Sequence, residues 1–75
     1  MNVTVYSTNS CPYCTMVKDY LRGRGISFTE HDVGNSQEKA QEMVRKSGQM
    51  GVPVVDINGR VIVGFDKGEI DKALA

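Results

Sequence analysis

The stretch Ser10-Cys11-Pro12-Tyr13-Cys14 constrains this chain more than any other, because it holds both of its cysteines two residues apart. Thr4 to Thr8 before it read as the end of a strand, and Thr15 to Arg22 after it as a helix. A Cys-x-x-Cys pair beside a βαβ pattern is a redox signature. Cysteines at i and i+3 of a helix start share one side of the first turn, close enough for a disulfide. Cys11 falls at the cap, where backbone N–H groups have no intrahelical partner. Those donors and the helix dipole favour a thiolate over a thiol. Pro12 suits the first helical position, where its missing N–H is not needed. Cys11 is therefore the expected low-pKa nucleophile, and Cys14, one turn in, the expected resolving thiol.

Two other uses of a Cys pair are weaker. A static disulfide across a three-residue step closes almost no loop and would stabilise little. Zinc usually takes four ligands, often as two Cys pairs. Here there is one pair, and His31 is the only histidine, so no metal site is expected. Seventy-five residues make one domain, near the lower size for a hydrophobic core without staples. Nine basic and nine acidic residues cancel, which argues against a nucleic-acid or membrane-surface binder. No apolar run approaches a membrane span. Met1-Asn2-Val3-Thr4 lacks the basic start and apolar core of a signal peptide. The expected compartment is the cytoplasm, where a Cys pair is more often catalytic than structural, and the expected state is a monomer.

Along the chain, Val3 and Val5 alternate with Thr4 and Tyr6 as in a strand. Tyr13, Met16, Val17, Tyr20 and Leu21 recur at helical spacing. Met16, Val17, Tyr20 and Leu21 read as core, whereas Tyr13, between the cysteines, is expected to face the site. Gly23 and Gly25 end this helix, and Ile26 to His31 read as a second strand, with His31 a partly buried edge residue lacking a partner for general-base work. Asn35 with Glu38 three residues on is a capping-box pattern opening a second helix. Ala40, Met43 and Val44 form its inner face, Glu42 and Lys46 an i,i+4 pair, and Gly48 its end. Lys39, Arg45 and Lys46 read as a solvated face. Pro53 to Ile57 and Arg60 to Val63 read as strands joined by Asn58-Gly59, a strong hairpin signal. Asp66 with Glu69 caps a last helix carrying Ile70, Ala73 and Leu74. The order β-α-β-α-β-β-α predicts a right-handed parallel crossover, an antiparallel hairpin and helices on both faces of a mixed sheet.

Cys11-Pro12-Tyr13-Cys14 after a strand, Val52-Pro53 before another, and Gly64-Phe65-Asp66 before the last helix together resemble a glutaredoxin, and the likeness runs over residues 1–75. The resemblance implies a thioredoxin fold, an α/β sheet of four strands in the order 2-1-3-4 flanked by three helices. It implies reversible thiol–disulfide exchange with disulfide-containing proteins. It implies that the Val52-Pro53 bond is cis beside the Cys pair, and that Val52 offers its backbone N–H and C=O to a docked substrate. It also places Gly64-Phe65-Asp66-Lys67 where the family holds the γ-glutamyl end of glutathione, a carboxylate at a helix start. By pattern alone Asp66 is an N-cap, and the two roles are compatible.

This chain departs from the family pattern at several positions. Val63 replaces the first of two glycines, and Lys67 stands where an aspartate is common. Thr8 replaces a lysine three residues before the first cysteine, and Gln49-Met50-Gly51 replaces a basic residue before Val-Pro. Two usual cationic partners of the glutathione glycyl carboxylate are thus absent, each contact contributing on the order of 1.5–3 kcal/mol. The short neutral loops and Gly-Phe element also resemble the small redoxins that feed ribonucleotide reductase and are recharged by thioredoxin reductase. The expectation is a glutaredoxin-like dithiol oxidoreductase that reduces protein or glutathione mixed disulfides through Cys11 and Cys14 and needs no metal or organic cofactor, with glutathione as a weak co-substrate and thioredoxin reductase as the alternative electron source. An iron–sulfur carrier sharing Cys11 between two chains and a redox-inert interaction module are the readings from other classes.

Overall fold

The alternating residues Val3-Thr4-Val5-Tyr6-Ser7 send Val3 and Val5 to one side of a strand and Tyr6 to the other. In the structure, a computed structural model that describes residues 2–75, that strand is β1 (Val3–Ser7), followed by α1 (Pro12–Gly23), β2 (Thr29–Asp32), α2 (Gln37–Ser47), β3 (Val54–Ile57), β4 (Arg60–Val63) and α3 (Lys67–Leu74). One sheet in the order β2-β1-β3-β4 joins the strands. β1 and β2 are parallel, and the β1–β3 and β3–β4 pairs are antiparallel. Val3, Val5, Val55, Ile57 and Ile62 pack against Val17 and Leu21 of α1 and Ile70 of α3. On the other face Tyr6 and Val54 pack against Met43 of α2. Val5, Val17, Leu21, Val55 and Ile70 are fully buried, each burial contributing about 1.5–3 kcal/mol before chain entropy is set against it. This is the thioredoxin-fold architecture that the resemblance implies.

Several boundaries differ from the sequence reading, each for a local reason. β1 ends at Ser7, which leaves Thr8 in the loop that leads to the Cys11 cap, while α1 begins at Pro12 as the cap pattern predicts. The second strand starts at Thr29, not Ile26, because the ladder to β1 begins at the Thr4–Thr29 pair and the Ile26 N–H still bonds to Leu21 O of α1. Ile26 and Phe28 nonetheless pack on the core. β3 begins at Val54, one residue after the expected Pro53, since proline has no N–H to give a ladder. α2 is capped by Ser36, whose Oγ accepts the Lys39 N–H at 3.2 Å. Asn35 is not the cap, because its side chain donates to Asp32 Oδ2 at 2.6 Å.

Met16 is not core. Cys14, Val17 and Leu21 form the buried stripe of α1, and at about 100° per residue Met16 points roughly 130° away from the middle of that stripe, 46% exposed. Lys46 does not belong to a merely solvated face either. Its Nζ donates to Tyr6 Oη and to Asp56 Oδ2, both at 2.8 Å, and Tyr6 Oη in turn donates to Glu42. This cluster ties α2 to the sheet. Tyr6→Phe should lower the unfolding free energy by about 1.5–3 kcal/mol, the range for hydrogen bonds to charged groups, as a shifted urea midpoint with an unchanged slope.

β1 and β2 both end, β3 begins and β4 ends at one edge of the sheet, as the pairs Ser7–Asp32, Tyr6–Val54 and Val54–Val63 require. The loop carrying Cys11, the Val52-Pro53 segment and the Gly64 turn therefore meet there. At the other end Asn58 and Gly59 take positive φ angles of 52° and 92°, the backbone of the predicted hairpin turn.

Candidate active site

Cys11 is the N-cap of α1, in extended conformation ahead of Pro12. Its Sγ accepts the Cys14 backbone N–H at 3.1 Å, so the sulfur takes up one of the orphan donors at the helix start. A thiolate accepts such a bond more strongly than a thiol. Both cysteines are free, but their surroundings differ. Cys11 is partly exposed, whereas Cys14 faces the sheet and is 0% exposed. Burial, reinforced by the Cys11 contact, pushes the Cys14 thiol up to about 11, against the opposing pull of the Thr8 backbone and the Lys18 charge. The helix start thus presents one reachable sulfur and keeps a second, protonated one behind it. Tyr13, between them, is 61% exposed at the rim.

The Val52-Pro53 bond is cis, and Pro53 is buried beside the end of β1. Pro53 O accepts the Gly64 N–H at 2.8 Å, closing the β3–β4 edge with Gly64 at φ +82°, a conformation that favours glycine. Among the described residues the Val52 N–H and C=O have no hydrogen-bond partner, so they lie open at the site's edge of the sheet. The preceding loop is closed on itself. Gln49 Nε2 donates to Gly51 O at 3.0 Å, and its Oε1 accepts the Gly51 N–H at 2.5 Å.

Asp66 caps α3, accepting the Glu69 N–H at 3.2 Å. Phe65 meets Tyr20 edge-on with ring centroids 5.9 Å apart. The Lys67 ammonium lies 5.5 Å from the centroids of both rings, which holds its charge over the seam between α1 and α3. Thr8 is partly buried and lies against Gly34 of the β2–α2 loop. His31, on the edge strand β2, is partly buried beside Tyr6 with ring centroids 5.4 Å apart. Two concave clefts lie along Ser27 and Phe28, towards the opposite end of the sheet.

Sequence reasoning missed two features of the site. Met16, Met50 and Val63, which with the expected Tyr13 are the large apolar side chains left exposed among the described residues, belong to α1 or to the segments beside Val52-Pro53 and Gly64. Met50, two residues before Val52 and 80% exposed, could have been suspected from an apolar residue inside a Gly-bounded loop. The second is a Ser7–Glu30–Lys18 cluster under α1, for which the only local sign was a polar residue, Ser7, on the inward-facing alternation of Val3 and Val5.

The glutaredoxin family model matches residues 3–62 and so ends before the Gly64–Lys67 segment. The chain is 43% identical over 72 residues, 96% of each, to the uncharacterized glutaredoxin-like 8.6 kDa protein in the rubredoxin operon of Clostridium pasteurianum. It is 37% identical over 65 residues to glutaredoxin 3 of Escherichia coli, covering 87% of this chain and 78% of that one. Among solved structures it is similar to the glutaredoxin-like NrdH-redoxin of Escherichia coli, described by its thioredoxin-like activity profile. The TM-score is 0.86 at 29% identity, with 96% of this chain and 93% of that chain covered. With the family model and these relatives spanning most of its length around a Cys-Pro-Tyr-Cys helix start, the chain belongs to the glutaredoxin family of thiol–disulfide oxidoreductases.

Proposed function

We propose that the protein is a dithiol reductase of protein disulfides, with Cys11 as nucleophile, Cys14 as resolving thiol and Val52 as the docking edge for an extended substrate segment. The observation that carries this reading is the inequality of the two sulfurs: Cys11 reachable at a helix N-cap, Cys14 fully buried one turn behind. The Cys11 thiolate attacks one sulfur of a substrate disulfide, forming a mixed disulfide and expelling the first substrate thiolate. Cys14 then gives up its proton and attacks Cys11 Sγ. The Cys11–Cys14 bond forms, the bond to substrate breaks, and the second substrate thiolate leaves. Two electrons have passed from the protein to the substrate. Pro12 sets the helix start, and Pro53 and Tyr13 shape the approach.

The exposed Tyr13, Met16, Met50 and Val63 favour a polypeptide over a small charged thiol, since apolar contacts add area where a partner chain lies. The similarity to NrdH-redoxin over nearly the whole of both chains supports recharging by a thioredoxin-reductase-type partner, and makes ribonucleotide reductase the first protein substrate to assay. Glutathione, placed by the resemblance at Thr8, Tyr13, Val52, Pro53 and Gly64–Lys67, is then a weak co-substrate. The roles of the thiols are tested by trapping. Cys14→Ser, incubated with a disulfide-bonded protein, should accumulate a stable mixed disulfide through Cys11, read as a dithiothreitol-sensitive band and by mass. Absence of that adduct, while Cys11 remains alkylatable, would refute the resolving role of Cys14.

A further inference from the structure

Among the described residues Ser7 is the one buried polar residue. Ser7, on the same side of β1 as Val3 and Val5, is 2% exposed and its Oγ donates to Glu30 Oε2 at 3.2 Å. Lys18 Nζ donates to the same carboxylate oxygen at 2.6 Å. The Lys18 side chain is only 17% exposed. The Glu30 side chain is 41% exposed, so the pair sits at the edge of this layer, with the carboxylate in contact with water and the ammonium drawn in beneath α1. The cluster has a specific neighbour. Lys18 is four residues after Cys14, hence on the same face of α1 one turn along, and Ser7 precedes the loop that leads to Cys11.

We propose that Lys18, held by Glu30 and Ser7, is a positioning residue for the second half of the exchange, its ammonium charge favouring the Cys14 thiolate as that sulfur attacks Cys11. The inference rests on the assignment of Cys14 as resolving thiol. In this step the Cys14 S–H bond breaks and the Cys11–Cys14 bond forms. The bond between Cys11 and substrate breaks, and its electron pair leaves with the substrate thiolate, which takes up the proton that Cys14 lost. A fully buried thiol with no nearby cation would perform this step slowly, because its charged form would have neither water nor a counter-charge.

Among the described residues, the groups that act on the Cys14 thiol are Cys11 from the cap, Lys18 from its own helix and the Thr8 backbone from the loop after β1. From β2, Glu30 is bound to Lys18. Lys18 is the cation whose charge acts to lower the Cys14 thiol, while the Cys11 sulfur and burial act to raise it. Glu30 is in turn held ionised chiefly by Lys18, with a smaller contribution from Arg22. The carboxylate thus serves as the anchor that keeps a flexible four-carbon chain from swinging into water.

The test follows release of thionitrobenzoate by stopped flow when reduced protein meets 5,5′-dithiobis(2-nitrobenzoate). The first equivalent reports attack by Cys11, and the second reports attack by Cys14 on the Cys11 mixed disulfide. In Lys18→Met the second phase should slow about tenfold at pH 7, with its pH midpoint raised by about one unit, while the first phase is unchanged. Lys18→Arg should restore both rate and midpoint. A second phase unaltered in rate and pH dependence overturns the inference, as does equal slowing of both phases, which would mark a structural role only. Should Lys18→Met fail to fold around the lone Glu30 carboxylate, Lys18→Met with Glu30→Gln removes both charges and should show the same selective slowing. A normal second phase in that double variant overturns the inference equally. If the wild-type protein itself releases only one equivalent, the assignment of Cys14 as resolving thiol fails, and the inference with it. A two-phase wild type with an indifferent Lys18 removes the inference alone.

Discussion

Iodoacetamide at pH 7 should modify Cys11 and leave Cys14 essentially untouched in the folded, reduced protein. Two effects act in the same direction. Cys14 is 0% exposed, so reagent reaches it only when the helix start opens. A thiol pushed up to about 11 also carries only about one thiolate in ten thousand at pH 7, and the thiolate is the reacting form. Together they predict at least about a thousandfold difference in rate between the two sulfurs. The pH dependence has a definite sign. Raising the pH should increase the Cys14 rate about tenfold per unit until the pH nears 11, because only above that value is the buried thiol mostly ionised. Peptide mass mapping after timed quenching gives both rates separately. In urea the two residues should react at similar rates, since the difference belongs to the fold. Comparable rates in the native protein would overturn the division of labour between the sulfurs, whatever activity the protein displays.

The redox pair was legible in the sequence because its chemistry is local. A cap, a proline at the first helical position and a three-residue step are properties of five consecutive residues, and Cys11 sits as N-cap in the structure as that pattern requires. The hairpin at Asn58-Gly59 and the cap at Asp66 were legible for the same reason. The start of α2 was not, because Asn35 and Ser36 are both good caps. The choice fell to Asp32, which takes the Asn35 side chain and leaves the helix to Ser36. Burial of Met16 was misjudged because helical spacing admits a broad stripe, and only the packing of Cys14, Val17 and Leu21 on the sheet fixes its centre. Lys46 and Lys18 were illegible for a deeper reason. Their partners, Tyr6 with Asp56 and Glu30 with Ser7, lie on strands whose register is set by the whole sheet.

The source of electrons should separate by a factor of ten or more in a coupled assay of NADPH oxidation, with thioredoxin reductase fast and glutathione plus glutathione reductase slow. The argument is electrostatic and begins with what glutathione presents, two carboxylates and an amine. A family member that uses it well would meet the glycyl carboxylate with fixed cations. By the resemblance Thr8 and Gln49-Met50-Gly51 stand at those positions, and the Gln49 amide bonds to Gly51 in its own loop and to Ser47 at the end of α2. Lys67 compensates only in part at the other carboxylate, because it is a flexible point charge shared with the faces of Tyr20 and Phe65. Loss of one charge-assisted contact costs about 1.5–3 kcal/mol, and 1.4 kcal/mol is already tenfold, so even one missing cation accounts for the expected ratio. The helix start at Asp66 and the open Val52 edge remain, which is why glutathione turnover should stay above background. On the reading proposed above, a thioredoxin-reductase-type partner would meet Cys11 beside the exposed Tyr13 and gain from apolar contacts with Met50 and Val63, none of which depends on the missing cations. Thr8→Lys then separates the causes. Thr8 lies in the loop just before the helix cap, partly buried, and a lysine stem can run along the surface with its ammonium in water. It should raise glutathione turnover several-fold and leave the thioredoxin reductase rate unchanged. Fast glutathione turnover by the wild-type protein would overturn the electrostatic argument. No gain in Thr8→Lys would move the cause to Val63 and the Gly64–Lys67 segment.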